Sequence, residues 1–150
     1  MKKFSISFPA IALLLFLTHV VFAEDKEKEI SVEEAMNYYC HNWINHTYYE
    51  DPNLSGIKRM NKDGTFEWYS NETNEVKKFP SWYGKFIIEK SWIDKDGNVW
   101  INANFDFMGY DHLYTAKISD NGNTLEQLYS YTYTTEIDPN HKKYFIMYKK

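Results

Sequence analysis

The chain has 150 residues, a formal net charge of −4, 19% aromatic residues and one cysteine. This length supports a single domain of ordinary size. The acidic balance and the lack of any dense run of Lys and Arg argue against a nucleic-acid partner. A single cysteine excludes an internal disulfide.

Residues 1–23 have the pattern of a secretory signal peptide. Lys2 and Lys3 give a basic start, and the apolar run PAIALLLFLTHVVFA ends with Val21 and Ala23 at positions −3 and −1 of a cleavage site. The alternative is an uncleaved anchor, because an apolar stretch of this length could just cross a bilayer. We expect cleavage, export to the periplasm or the outside of the cell, and no transmembrane span in the mature chain.

The mature chain is expected to begin with a charged lead-in, residues 24–30, before a barrel domain, residues 31–150. Ser31 and Glu34 form a capping box, in which the Ser31 hydroxyl accepts a hydrogen bond from the amide of Glu34. The apolar residues that follow repeat at helical spacing: Val32, Ala35, Met36 and Tyr39. The sequence therefore predicts one helix over residues 32–40.

Beyond residue 41 the hydrophobic pattern alternates with a period of two, which is typical of half-buried strands. Strands are predicted at 43–49, 55–60, 65–70, 82–93, 98–107, 111–118, 123–135 and 142–149. Three links have the composition of a type I turn that ends in glycine: NKDG (61–64), DKDG (94–97) and SDNG (119–122). A calcium loop starting at Asp94 is the alternative, but its twelfth position would be Phe105 instead of a carboxylate.

Eight consecutive antiparallel strands with short links predict an up-and-down meander. Closing such a sheet into a barrel removes its two open edges. The predicted fold class is therefore all-β: an eight-stranded antiparallel up-and-down β-barrel with one short N-terminal α-helix. A barrel of this size is just wide enough to be filled by side chains or to hold one small ligand.

Three stretches carry a resemblance to a known family. They are the helix leading into a strand with Trp43, the strands around NKDGTFEW (61–68), and YTAKISDNGNTLEQL (114–128). Through them residues 41–150 resemble the lipocalin-like branch of the calycins, in a small secreted bacterial form. The resemblance implies a closed β-barrel and names no ligand.

The aromatic residues give the candidate binding site, taking the apolar face of each strand as the inside. The candidate ligand-binding residues are Phe66, Trp68, Trp82, Phe86, Lys90, Trp92, Phe105, Tyr114, Tyr129 and Tyr131. One interpretation is a pocket for a small apolar or ring-bearing ligand; the other is that the rings fill the barrel completely. Lys90 would either contact a ligand carboxylate or reach water at the end of its strand.

Catalytic chemistry has little support in the sequence. No histidine has metal-ligand spacing, and no nucleophile or phosphate-binding motif is present. Cys40 is interpreted as a buried thiol or as a link to another molecule, and Asp111–His112 as a loop ion pair. We expect a non-enzymatic carrier without a cofactor that sequesters a small hydrophobic or aromatic molecule. The alternative is a solid-core barrel that acts as an interaction or inhibitor module for a protein partner in the envelope or outside the cell.

Overall fold

The computed structural model describes residues 27–48, 56–70 and 82–150. The signal peptide predicted for residues 1–23 and the link 71–81 lie outside these ranges. In chain order the elements are β1 (Lys28–Glu29), α1 (Val32–Tyr39), β2 (Asn42–Tyr48), β3 (Gly56–Met60), β4 (Thr65–Ser70), β5 (Trp82–Ile93), β6 (Val99–Phe107), β7 (Tyr110–Ser119), a 3₁₀ turn (Asp120–Gly122), β8 (Thr124–Ser130) and β9 (Tyr144–Lys149). Within the described ranges, no helix is both long and apolar enough to span a membrane.

Strands β2 to β9 form one closed antiparallel barrel. Each of them pairs with the next strand in the chain, and β9 returns to pair with β2. This confirms the predicted eight-stranded up-and-down barrel with one short helix. The two-residue strand β1 lies beside the end of β5, where Lys28 pairs with Ile93. Closure leaves the eight barrel strands with neighbours on both sides, so their backbone donors and acceptors are paired within the sheet.

Helix α1 closes one end of the barrel. The Ser31 hydroxyl accepts a hydrogen bond from the backbone N–H of Glu34 at 3.1 Å, which confirms the predicted N-cap. Tyr39 is fully buried and lies edge-on to Phe86, with ring centroids 5.7 Å apart. The indole N–H of Trp43 donates to the Tyr39 carbonyl at 2.9 Å. The helix is therefore held both by core residues at this end of the barrel and by strand β2.

The link between β5 and β6 is a hairpin turn. Oδ1 of Asp94 accepts the backbone N–H groups of Asp96 and Asn98, and Gly97 has φ +82°. The other oxygen of Asp94 accepts from the Asn98 amide and the Trp100 indole. Both carboxylate oxygens therefore hold the turn together, as the hairpin interpretation requires.

The link between β7 and β8 is also a hairpin, but its backbone differs from the predicted type I turn. Asp120 and Asn121 have φ values of +54° and +52°, and Gly122 follows at +88°. Aspartate and asparagine tolerate this left-handed region better than other non-glycine residues. The primed hairpin turns use it because it matches the twist of the flanking strands.

A β-bulge in β5 reverses the side-chain directions predicted for its second half. The register with β6 shifts between Ile88 and Lys90, so Glu89 is an extra residue. Lys90 is exposed, and Trp92, although buried, lies outside the main core cluster that contains Phe86 and Ile88. The predicted inward placement of Lys90 and Trp92 is therefore corrected to the outer face, because one inserted residue inverts a period-two pattern.

The strand predicted at 123–135 ends at Ser130. The hydroxyl of Ser130 donates to the carbonyl of Thr132, and the chain leaves the sheet there. Residues 131–143 then cross the outer wall, where Thr134 donates its backbone N–H to the hydroxyl of Thr115 at 3.1 Å. Tyrosine and threonine favour extended backbone, but that preference cannot show where strand pairing stops.

Gly84 permits a close approach between strands and gives a first prediction. A Cβ there would collide with the carbonyl oxygen of Asp106 and lie 2.9 Å from Cε1 of Phe66. We expect Gly84→Ala to lower the free energy of unfolding by about 2–3 kcal/mol, as overpacking does. Gly97→Ala is the matched control, because a Cβ at Gly97 meets nothing within 4 Å and only its φ of +82° is unfavourable. Urea unfolding measures both; a Gly84 variant no less stable than the Gly97 variant would contradict the packing argument.

Candidate functional site

The barrel contains a cavity of about 210 Å³ in the half away from α1. Its lining comes mainly from aromatic side chains of β4 to β9, together with two lysines. The lining residues are Lys58, Phe66, Trp68, Trp82, Phe105, Phe107, Tyr114, Tyr129, Lys143, Phe145 and Met147. The described part of the barrel is therefore not completely filled by its own rings.

Stacked rings form the wall of the cavity farthest from α1. Trp68 and Trp82 face each other across the β4–β5 pair, with centroids 4.3 Å apart. Phe107 lies 6.1 Å from Trp82 and carries the imidazole of His112 stacked at 4.0 Å on its ring. Trp82 remains 45% exposed. Among the described residues, the rings at this end are therefore more accessible than the packed core next to α1.

The inner end of the cavity is tightly packed. Phe105 is 1% exposed and lies 5.0 Å from Phe66 and 4.8 Å from Tyr114 between ring centroids. Behind it Phe86 stacks on Phe105 at 5.4 Å and meets Tyr39 of α1. These contacts separate the cavity from the helix end of the barrel.

Lys58 of β3 points its ammonium group into this aromatic interior. Its Nζ lies 4.4 Å from the Phe105 ring centroid and 4.9 Å from that of Tyr114. Its Nζ donates to Oε1 of Gln127 at 3.3 Å across the barrel. No carboxylate within the described ranges forms an ion pair with Lys58. Burial lowers the pKa of Lys58 from 10.5 to about 7, because the charged form loses its water.

The second lysine, Lys143, lies near the end of the cavity away from α1. Its Nζ is 4.1 Å from the Tyr129 ring centroid and 5.4 Å from that of Tyr131. Burial, followed by the positive charge of Lys143, lowers the pKa of His112, while Asp111 opposes the shift. His112 thus lies beside an aromatic wall and a lysine, with its imidazole stacked on Phe107, whereas Asp111 lies near Lys85 and Ile87 on the other face of the sheet.

Six of the ten predicted ligand-binding residues line the cavity: Phe66, Trp68, Trp82, Phe105, Tyr114 and Tyr129. Phe86 packs beneath them in the core. Lys90 lies on the outer face, 5.2 Å from the ring of Trp92, which stacks on Trp100. Tyr131 follows the end of β8 and is 86% exposed. The bulge explains why Lys90 and Trp92 do not line the cavity, and the early end of β8 explains why Tyr131 does not.

Five lining residues were absent from the sequence-based candidates: Lys58, Phe107, Lys143, Phe145 and Met147. Strand β3 has one apolar side chain on each face: Ile57 points outward and Met60 inward. The alternation pattern alone therefore cannot show which face Lys58 lies on. Phe107 continues the face of Phe105 and could have been included on that signal.

The described residues hold no group of three or more His, Cys, Asp or Glu that could bind a metal ion. Burial raises the pKa of Cys40 to about 11, which keeps it a thiol, and its Sγ lies 3.3 Å from Sδ of Met36. The neighbouring His41 ring contacts the carbonyl of Asn37. Cys40 and His41 therefore have separate local partners and are not arranged as a nucleophile and its base.

Comparison with known protein families, with curated proteins and with solved structures finds no match for this chain.

Proposed function

We propose that the protein is an exported, lipocalin-like carrier that binds one small hydrophobic or aromatic molecule inside its barrel. The observation that supports this is the cavity of about 210 Å³ among aromatic side chains of a closed barrel. Ligand sites are typically concave and apolar with a few polar groups, and here Lys58 supplies such a group. Burial of apolar ligand area is the expected source of affinity.

The volume of the cavity limits the size of the ligand. A dry cavity of about 150 Å³ can hold a benzene ring in another protein. About 210 Å³ therefore suits a molecule of one or two rings, or a short alkyl chain, and is small for a larger polycyclic compound. We expect a dissociation constant in the micromolar range, about −6 to −8 kcal/mol, for such a fragment.

A paired substitution on β9 tests this proposal. Phe145 lines the cavity, whereas the neighbouring Ile146 lies on the other side of the strand. Phe145→Trp adds volume inside and is expected to weaken binding at least tenfold, while Ile146→Trp leaves it within about threefold. Titration calorimetry with 1-octanol, indole, 3-phenyl-1-propanol and the matching acids is the measurement. Absence of one-to-one binding by every compound, or equal loss in both variants, would contradict the proposal.

The second candidate is an interaction module. Tyr83 and Ile87 share the outer face of β5 and are 72% and 69% exposed, which leaves apolar area available for a protein partner. The link 71–81, a long segment that would also suit contacts with a partner, lies outside the described residues. A stoichiometric protein recovered with the wild type and lost with Tyr83→Ser and Ile87→Ser would favour this function over the carrier.

A further inference from the structure

Lys58, which lines the cavity, and Gln127, which is buried behind the lining, carry hydrogen-bond donors that lack an acceptor among the described residues. An ammonium group has three donors and no acceptor, and Lys58 uses one of them on Oε1 of Gln127. Gln127 is fully buried, and its Nε2 has no hydrogen-bond partner in the described part of the chain. The orientation of this amide follows from Lys58, because only its carbonyl oxygen can accept from an ammonium. The amide N–H groups therefore have no acceptor within residues 27–48, 56–70 and 82–150.

Buried donors without acceptors are rare in folded proteins, since each one loses its bonds to water. Lys58 and Gln127 come from strands on different sides of the barrel, 69 residues apart in the chain. Their side chains meet in the interior, and the lysine borders the cavity. This polar pair lies in an aromatic interior, and it points to an acceptor that is not among the described residues.

The charge of the cavity selects the kind of acceptor. Among the described residues that line it, Lys58 and Lys143 carry a positive charge and none is Asp or Glu. The rings of Phe66, Phe105 and Tyr114 lie 4.4–5.7 Å from the ammonium of Lys58 and partly compensate its charge. A ring face does not accept the remaining N–H groups as an oxygen anion does, so a negatively charged oxygen is the better partner.

On the basis of the proposed carrier function, we infer that the ligand is a small apolar monocarboxylate. Its ring or chain fills the aromatic cavity, and its carboxylate is held by Nζ of Lys58 and Nε2 of Gln127. Most of the lining is aromatic, and a charge pair among these rings is screened less than one on the surface.

The low pKa of Lys58 gives the inference a pH signature. The free protein loses the Lys58 proton above about pH 7, whereas a bound carboxylate requires the ammonium form. Acid binding should therefore take up a proton at pH 8, and its affinity should fall by up to about tenfold per pH unit above 7. Among the described residues, the other titratable groups around this interior are Tyr39, Tyr114, Tyr129, Lys143 and His112, whose imidazole stacks on Phe107. Loss of the pH dependence in Lys58→Met assigns it to Lys58 and not to His112.

The experiment compares ligands that differ only in their polar end. 3-Phenylpropanoic acid, 3-phenylpropanamide and 3-phenyl-1-propanol form one set; octanoic acid, octanamide and 1-octanol form a second. Calorimetry at pH 6.5 and 8 gives the affinities, and two buffers of different ionisation enthalpy give the proton uptake. For at least one set we expect the acid to bind at least tenfold more tightly than the amide and alcohol at pH 6.5.

Three variants separate the possible outcomes. Lys58→Met should weaken acid binding at least tenfold and leave the alcohol within about threefold, and Gln127→Met should weaken the acid about three- to tenfold. Lys90→Met is the control, because Lys90 also lies over an aromatic ring but on the outer face; it should change neither. Equal affinity for acid and alcohol, or no effect of Lys58→Met, would overturn the carboxylate inference and leave the carrier proposal standing. Failure of all six compounds would overturn both.

Discussion

Lys58→Met is expected to raise the free energy of unfolding by about 1–4 kcal/mol at pH 6, the range seen when buried ionic groups are replaced by apolar ones. Lys58 is held inside the barrel without a carboxylate partner among the described residues. Desolvation of an ion costs several kcal/mol, whereas a desolvated cation–π contact returns about 2 kcal/mol and the hydrogen bond to Gln127 about 1 kcal/mol. The desolvation cost is larger than these two contributions, so the uncharged side chain should be more stable.

The desolvation cost of Lys58 also determines how the stability gained by Lys58→Met depends on pH. Burial places the pKa of Lys58 in the folded protein near 7, below its value of 10.5 in the unfolded chain. Below pH 7 both states carry the proton and the full cost is present. Between about pH 7 and 10.5 the unfolded state binds more protons, so the wild type gains stability as the pH rises. The advantage of Lys58→Met should therefore be largest at pH 6 and smaller at pH 9.5.

Urea unfolding at these two pH values measures the effect. Lys90→Met, on the outer face, is the control and should change the free energy of unfolding by less than about 0.5 kcal/mol. A Lys58→Met protein that is less stable than the wild type at both pH values would show that the lysine is structural. A more stable variant that no longer binds acids would show that stability is given up for binding.

Trp43→Ala is expected to lower the free energy of unfolding by about 3–5 kcal/mol, the cost typical of removing a buried tryptophan. Trp43 is fully buried, and its indole N–H donates to the carbonyl of Tyr39 at the end of α1. The substitution would leave a cavity beside the helix and also remove a bond that fixes the helix to β2. Because packing and a hydrogen bond are lost together, we expect a loss of unfolding free energy near the upper end of this range.

Trp82→Ala is the matched control for this prediction. Trp82 is stacked on Trp68 at the other end of the barrel and is 45% exposed. Removing it should cost less than about 2 kcal/mol, because roughly half of the side chain already contacts water. Unfolding in urea, followed by circular dichroism, compares the two. Similar values for both variants would contradict the assignment of the main structural support to the α1 end.

The local pattern of the sequence was sufficient for the elements of this fold. The cap at Ser31 and the spacing of the apolar residues after it predicted α1, and the period-two alternation predicted the eight barrel strands. Hairpin turns such as DKDG (94–97) predicted antiparallel neighbours. These signals are local, since each depends on backbone geometry within a few residues.

The direction of individual side chains depended on contacts that are distant in the chain. One inserted residue, Glu89, moved Lys90 and Trp92 to the outer face, and only the register with β6 reveals it. The end of β8 at Ser130 depended in the same way on where pairing stops. A period-two pattern carries no information on either event, because it describes one strand without its neighbour.

By itself the sequence determined a closed antiparallel barrel with an aromatic interior and a helix before its first strand. The tertiary structure alone decided that the interior keeps about 210 Å³ unfilled and that Lys58 and Gln127 meet there. The volume left inside a barrel is the small difference between the volume that its strands enclose and the summed volume of the inward side chains of every strand. No single stretch of sequence determines this unfilled volume, because it depends on how all the strands close into a barrel.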